Sequence, residues 1–108
     1  MAITKVHAVI PVADHSAACS WYSRLWGRPA DREPMSGLAE WHAPGGGAIQ
    51  VFHDPTHAGS AAVTLAVEDV DALARTHDAP APQNTSAGFR LTTLPDPDGN
   101  TLTLVQQA

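Results

Sequence analysis

The chain has little with which to cross-link itself, grip nucleic acid or enter a membrane. Cysteine occurs once, at Cys19, so neither a disulfide framework nor a cysteine zinc site is available. Positive charge is scarce: 6 lysines and arginines stand against 11 aspartates and glutamates, a net charge of −5. A nucleic-acid binder needs a basic face to displace phosphate counterions, and an anionic lipid surface attracts the same kind of patch. Neither partner is expected. No apolar run reaches the length that spans a bilayer, and Met1-Ala-Ile-Thr-Lys-Val-His7 lacks the basic flank and apolar core of a signal peptide. A reducing, cytoplasmic location is the expectation. The rest is ordinary for a globular protein, with 44% hydrophobic and 16% charged residues among 108, so disorder is not expected. One domain, 1–108, is the expected organisation. A chain of this length buries roughly 65% of its unfolded surface, enough for a single core.

Period-two alternation marks the first strand, from Ile3 to Val12, with Val6, Ala8, Ile10 and Val12 on one face and His7, Val9 and Pro11 on the other. Pro11 has no amide hydrogen, so this strand ends there or runs along a sheet edge. Asp14 or Ser16 offers a helix cap, Ala18, Trp21, Tyr22 and Leu25 form a helical apolar stripe, and Gly27 and Pro29 stop it. A weak strand over 30–36, a better one over 38–43, a turn at Pro44-Gly-Gly-Gly47 and a returning strand over 48–53 follow.

The pattern then restarts. Residues 61–67 read as a strand, Asp69 or Asp71 can cap a short helix carrying Val70, Leu73 and Ala74, and the proline-rich stretch from Ala79 to Gln83 leaves room for at most a poor strand. Phe89 to Leu94 and Thr101 to Gln106 are strands around the turn Asp96-Pro-Asp-Gly-Asn100, where proline presets one dihedral and Gly99 or Asn100 accepts the left-handed one. The halves align: Val12, Asp14 and Ala17 match Val67, Asp69 and Ala72 at an offset of 55 residues, and Ile49-Gln50-Val51 matches Leu102-Thr103-Leu104 at 53. Such a repeat is a fold-level signal. It predicts an α+β chain with module one at about 1–55 and module two at about 60–108, the sheets side by side, helices over one face and a curved cleft on the other.

Alternation assigns the faces. Ala8, Ile10, Ile49, Val51, Val63, Leu65, Leu102 and Leu104 belong under the helices, and His7, Val9, Gln50, Phe52, Ala62, Thr64, Thr101 and Thr103 point the other way. Polar groups among apolar walls suit a small-molecule cleft; the plainer alternative is a partly solvated sheet face. The strand over 38–43 stays unassigned, because Trp41 and Leu38 can each claim the core.

His7-Ala-Val-Ile-Pro-Val-Ala-Asp14, Trp21-Tyr22, Trp26-Gly27, Val67-Glu-Asp-Val-Asp-Ala-Leu73 and Asp96-Pro-Asp-Gly-Asn100 resemble the signatures of the vicinal oxygen chelate superfamily, which includes glyoxalase, bleomycin-resistance and dioxygenase proteins. The resemblance covers nearly the whole chain. It implies two βαβββ modules forming a cupped mixed sheet with helices on the convex face, commonly in homodimers. In the metal enzymes of that superfamily, a divalent ion is held from the first and last strand of each module. Those positions here are His7, Gln50, Ala62 and Thr103, only two of which are credible donors, one a neutral amide. Catalytic metal sites generally use three or more protein ligands, so no metal and no cofactor is expected.

The other candidates are weaker. His53-Asp-Pro-Thr-His57 has two histidines four apart, but Pro55 denies them a helix. Glu40 and His42 could form an acid–base pair; with no nucleophile or metal to serve, they read as half-exposed strand residues. Cys19 has no neighbouring base or cation except a distant Arg24 and reads as inert. Trp21 and Trp26 read as packing residues. The resulting expectation is a metal-independent protein binding a small apolar or aromatic molecule, as in antibiotic sequestration, through His7, Val9, Gln50, Phe52, Thr64 and Thr103. The alternatives are a metal-dependent lyase, epimerase or dioxygenase using His7 and Gln50, and an accessory module without a ligand. The clipped second helix and poor edges point to a homodimer.

Overall fold

Alternation becomes two faces in strand β1 (Val6–Val12) of the computed structural model, which describes residues 1–107. Ile10 and Val12 are fully buried, whereas His7 and Val9 stand on the opposite, exposed face. Pro11 is accommodated because β1 is an edge strand, where a missing amide hydrogen breaks no ladder. Helix α1 (His15–Trp26) begins where Asp14 accepts the Ala17 amide at 3.0 Å and ends at Gly27, whose φ of 71° is the left-handed conformation that a Cβ disfavours. It buries Ala18 and Tyr22 and packs Trp21 and Leu25 beside them.

Strands β2 (Arg32–Met35), β3 (Leu38–His42) and β4 (Gly47–His53) complete the first module. Its sheet has the order β1-β4-β3-β2, with β1 parallel to β4 and the other pairs antiparallel. The second module repeats this connectivity with β5 (Ala62–Ala66), α2 (Val70–Thr76), β6 (Gln83–Asn84), β7 (Phe89–Pro95) and β8 (Thr101–Gln107), in the order β5-β8-β7-β6. Each module is therefore a βαβββ unit, and the fold is α+β with two mixed sheets. Proline at Pro80 and Pro82 leaves β6 only two residues long.

The sequence repeat is physical. Asp69 caps α2 by accepting the Ala72 amide at 3.0 Å, as Asp14 does for α1. In the first sheet Ala8 pairs with Ile49 and Val9 with Gln50; in the second Val63 pairs with Leu102 and Thr64 with Thr103. The ambiguous third strand is also decided. Trp41 is fully buried opposite Ile49 and donates its indole N–H to the Arg28 carbonyl at 3.0 Å. Leu38, Glu40 and His42 therefore share the open face.

The helix-facing sides of the two sheets meet in common packing. Ile10, Val12, Trp41, Ile49 and Val51 cluster with Leu102 and the partly buried Val63 and Leu65, and Trp21 and Leu25 reach both this cluster and the one around Val70, Leu94 and Leu104. Fully burying an aliphatic side chain of this kind stabilises by about 1.5–3 kcal/mol.

A polar clamp adds to it. The turn at Asp96-Pro-Asp-Gly-Asn100, expected only to reverse the chain, also joins the modules. Gly99 takes the left-handed conformation at φ 91°. Asn100, fully buried, donates to the Pro11 carbonyl at 2.8 Å and to Asp96 Oδ2 at 2.9 Å, and accepts from the Ala61 amide at 2.9 Å. Asp98 accepts from the Ala13 amide at 3.1 Å. Gly59 lies against the Asp98 carbonyl so closely that a Cβ would collide with it. Among the described residues, no helix is long and apolar enough to cross a membrane.

Candidate functional site

The open face of the first sheet carries His7 and Val9 from β1, Gln50 and Phe52 from β4, and Leu38, Glu40 and His42 from β3. Val9, Gln50 and Glu40 lie in register across the three strands, and Phe52 lies opposite Leu38. Two kinds of side chain therefore share the surface, an apolar set and a polar row.

Glu40 organises the polar row. It is only 3% exposed, which corrects its expected half-exposed state. The strand period does place it on the open face, but four long polar neighbours lean over it. Gln50 Nε2 donates to Oε2 at 2.6 Å and His42 Nε2 meets Oε1 at 2.9 Å. Arg32 Nε and His7 Nδ1 stand farther off, at 3.6 and 3.8 Å. A secluded carboxylate is tolerated only when paired and hydrogen-bonded in this way. The His42 and Gln50 hydrogen bonds hold its carboxyl below the usual glutamate range, against the opposing effect of burial, with Arg32 and His7 adding smaller pulls in the same direction.

Of the expected site residues, the structure brings His7 and Gln50 into contact, His7 Nδ1 lying 3.0 Å from Gln50 Nε2. Val9 is their neighbour, 50% exposed, and Phe52 is half-buried two positions along β4. Thr64 and Thr103 pair with each other on the second sheet, and among the described residues no hydrogen bond connects them to the first set. Glu40 and His42, considered as an acid–base pair and set aside as half-exposed strand residues, are the partners that complete this row. Their spacing of two put both on one side of the strand; which side that is followed only once Trp41 was known to face the core.

The four positions that the superfamily resemblance marks as metal-ligand positions, His7, Gln50, Ala62 and Thr103, offer a poor donor set. Gln50 turns its amide nitrogen, not its oxygen, toward His7 and Glu40, Ala62 has no donor, and Thr103 offers a neutral hydroxyl. Among the described residues no three His, Cys, Asp or Glu side chains converge as a metal site. These residues do not fit a divalent cation.

Elsewhere, Cys19 does have a base beside it: both ring nitrogens of His15, one helical turn earlier, lie 3.7 Å from its sulfur. The i,i+4 spacing carried that signal. His15 Nε2 is engaged by the Val51 carbonyl at 3.1 Å. Burial, with the Glu33 carboxylate, pushes the Cys19 thiol up, so it stays protonated and weakly nucleophilic. His57 pairs with Asp54 at 2.9 Å within the loop after β4.

Concavities lie elsewhere on the described residues. An apolar one of about 480 Å³ lies between the modules, walled by Ala8, Trp26, Val63, Leu65 and Leu104, with Thr64 on its lining. A shallower one of about 1010 Å³ runs along α1 past Asp14, His15 and Cys19 to Glu33 and His53. His7, Val9, Gln50, Phe52 and Thr103 line neither.

No family model matches the sequence, nor does any curated protein. Solved structures do. A glyoxalase/bleomycin resistance protein from Catenulispora acidiphila DSM 44928 is 30% identical, with a TM-score of 0.84 over 96% of this chain and 98% of that one. TnmS3, an antibiotic-binding protein from Streptomyces sp. CB03234, is 26% identical, with a TM-score of 0.84 over 100% and 99% of the two chains. A bleomycin-binding protein solved with bleomycin shares the fold at 20% identity and a TM-score of 0.75 over 100% of both chains. With the paired βαβββ modules and the resemblance running end to end, the chain belongs to the glyoxalase/bleomycin resistance protein family of the vicinal oxygen chelate superfamily.

Proposed function

We propose that this protein is a metal-independent binding protein for a small apolar or aromatic molecule, held by His7, Val9, Gln50, Phe52, Thr64 and Thr103. The carrying observation is the composition of the first sheet's open face: Val9, Leu38 and Phe52 supply apolar surface beside one organised polar row. Mostly apolar walls with a few fixed polar groups are what orient a small ligand. The Streptomyces relative is an antibiotic-binding protein, and the donor set argues for that branch over metal-dependent lyases or dioxygenases.

The binding unit in this proposal is a homodimer with two equivalent clefts drawing on both modules, in the reducing cytoplasm that a lone cysteine suits. The exposure of the apolar side chains Val9 (50%), Met35 (57%) and Phe89 (40%) leaves apolar surface to be covered, and a two-fold interface is the commonest way to provide that cover. Native mass spectrometry of freshly purified protein tests both parts. A dimer mass with a co-purifying small molecule is the expected result. A ligand-free monomer that binds nothing in a screen of aromatic compounds would remove the proposal.

A further inference from the structure

We propose that Glu40, acting through Gln50, fixes His7 as a hydrogen-bond donor, so that the ligand places an acceptor oxygen (carbonyl, carboxylate or phenolic) against that ring, a role that rests on the open face being the binding surface. The chain of constraint starts at the carboxylate. An ionised Glu40 can only accept. Gln50 approaches its Oε2 to 2.6 Å. At that distance a carbonyl oxygen would face a carboxylate oxygen, so only the amide nitrogen can be turned toward Glu40. The orientation of the amide is thereby decided by chemistry.

The second hydrogen of the same nitrogen points at His7 Nδ1, 3.0 Å away. An N–H can be received only by a bare ring nitrogen, so in the neutral imidazole Nδ1 is bare and the proton sits on Nε2. Among the described residues Nε2 has no hydrogen-bond partner, and the His7 side chain is 34% exposed. Two further contacts keep the carboxylate where it is: His42 on Oε1 at 2.9 Å and Arg32 at 3.6 Å. The apolar neighbour Val9 offers the freed N–H nothing. A bound molecule with an oxygen at that point pairs it; a purely hydrocarbon one leaves it buried and unpaired, which costs affinity. Glu40 is a positioning residue here, and His7 is the residue that discriminates.

Two readouts on the full-length protein test this. Long-range proton–nitrogen correlation at pH 8, above the ordinary imidazole range near about 6.5, reads the tautomer directly. The His7 ring is expected as Nε2–H in the native chain. It is expected to relax toward a mixture in Glu40→Gln, which keeps the shape but no longer compels the Gln50 amide, and in Gln50→Met, which keeps the length but removes the donor. An Nδ1–H ring in the native protein, or an unchanged tautomer in both variants with the amide spectrum still folded, overturns the relay. The second readout titrates acetophenone and ethylbenzene, which match in shape but differ in the oxygen. Acetophenone is expected to bind about fivefold more tightly, the scale of one neutral hydrogen bond, with the preference lost in Gln50→Met. Equal affinities overturn the reading of acceptors. If neither probe shifts the signals of His7, Val9 or Phe52 while the tautomer behaves as stated, the binding role of the face fails and the relay does not.

Discussion

Tyr22 in the first module gives its phenolic hydrogen to Asp96 in the second across 2.7 Å, a buried bond between residues 74 positions apart. Burial and the Asp96 carboxylate push the Tyr22 hydroxyl far above the ordinary phenol range, which keeps it protonated and donating at neutral pH. Asn100 completes the same clamp, holding the Pro11 carbonyl and the Ala61 amide. Tyr22→Phe is expected to cost about 1.5–3 kcal/mol, the worth of one hydrogen bond to a charged group, since Asp96 Oδ2 keeps its Asn100 donor. Asn100→Ala, which strands several, should cost more. Urea melts decide this, and an Asn100→Ala loss no larger than that of the exposed Ser86→Ala would show that the clamp contributes nothing.

The face assignment has its own test. Ile10→Ala or Leu104→Ala should cost about 2–5 kcal/mol, as large-to-small changes in a packed interior do. Thr103→Ala, on the open side of the same strand as Leu104, should cost well under half of that. Phe52→Ala should weaken ligand binding more than it weakens folding. Comparable losses at Leu104 and Thr103 would mean the second sheet presents its faces the other way round.

Acid should find the polar row. The Glu40 carboxyl is held lower in the folded chain than in the unfolded one, so its contribution to stability is present above the ordinary glutamate range, near about 4.3. It declines as pH falls through that range toward the lower folded value. Glu40→Gln should flatten this part of the stability–pH curve. An unaltered slope below pH 5 would show that the carboxylate is not differentially stabilised.

His77 acts at a higher pH. Its ring, with Nε2 buried and unpartnered, is held below the usual histidine range by burial and by Arg24. Below about pH 6.5 the unfolded chain takes up this proton before the folded one, so stability falls as pH drops through that window. His77→Phe should remove the dependence there; a slope that persists between pH 7 and 5.5 would place its origin elsewhere.

Purified protein should contain no stoichiometric zinc, nickel, iron or manganese, and a chelator should leave its Tm unchanged, because two of the four ligand positions are Ala62 and Thr103. Metal analysis settles the point. One equivalent that disappears with His7→Ala would overturn it.

The legible parts of the fold were those fixed by local periodicity. Alternation along Val6–Val12 and Gly47–His53 placed His7, Val9, Gln50 and Phe52 on one face, and the 55-residue echo of Asp14 in Asp69 identified the duplicated unit. The choice of cap between Asp14 and Ser16, and between Asp69 and Asp71, was decided by the structure. What stayed hidden depends on which neighbour leans where. Trp41 and Leu38 are equally apolar, so their strand had no readable inside until the Trp41 indole met the Arg28 carbonyl. Glu40 is shielded by side chains from three other strands, which no spacing along its own strand reveals. The clamp function of Asn100 is equally non-local, since its partners Pro11 and Ala61 lie far away along the chain.

The clamp also sets a timetable. Ribosomes deliver this chain from its amino end, and the groups that receive Tyr22 and Pro11, at Asp96 and Asn100, lie 74 and 89 positions later. The first module's parallel partner strands are themselves some 40 residues apart, Ala8 beside Ile49. Distant pairings of this sort delay folding, because the intervening chain must be ordered before they form. The nascent first half therefore lacks the acceptor for its Tyr22 hydroxyl until the Asp96 turn of the second module has emerged. A fragment ending at Pro95 should be digested by protease about as fast as an unfolded chain. A protected core in that fragment would mean that the first half folds without waiting.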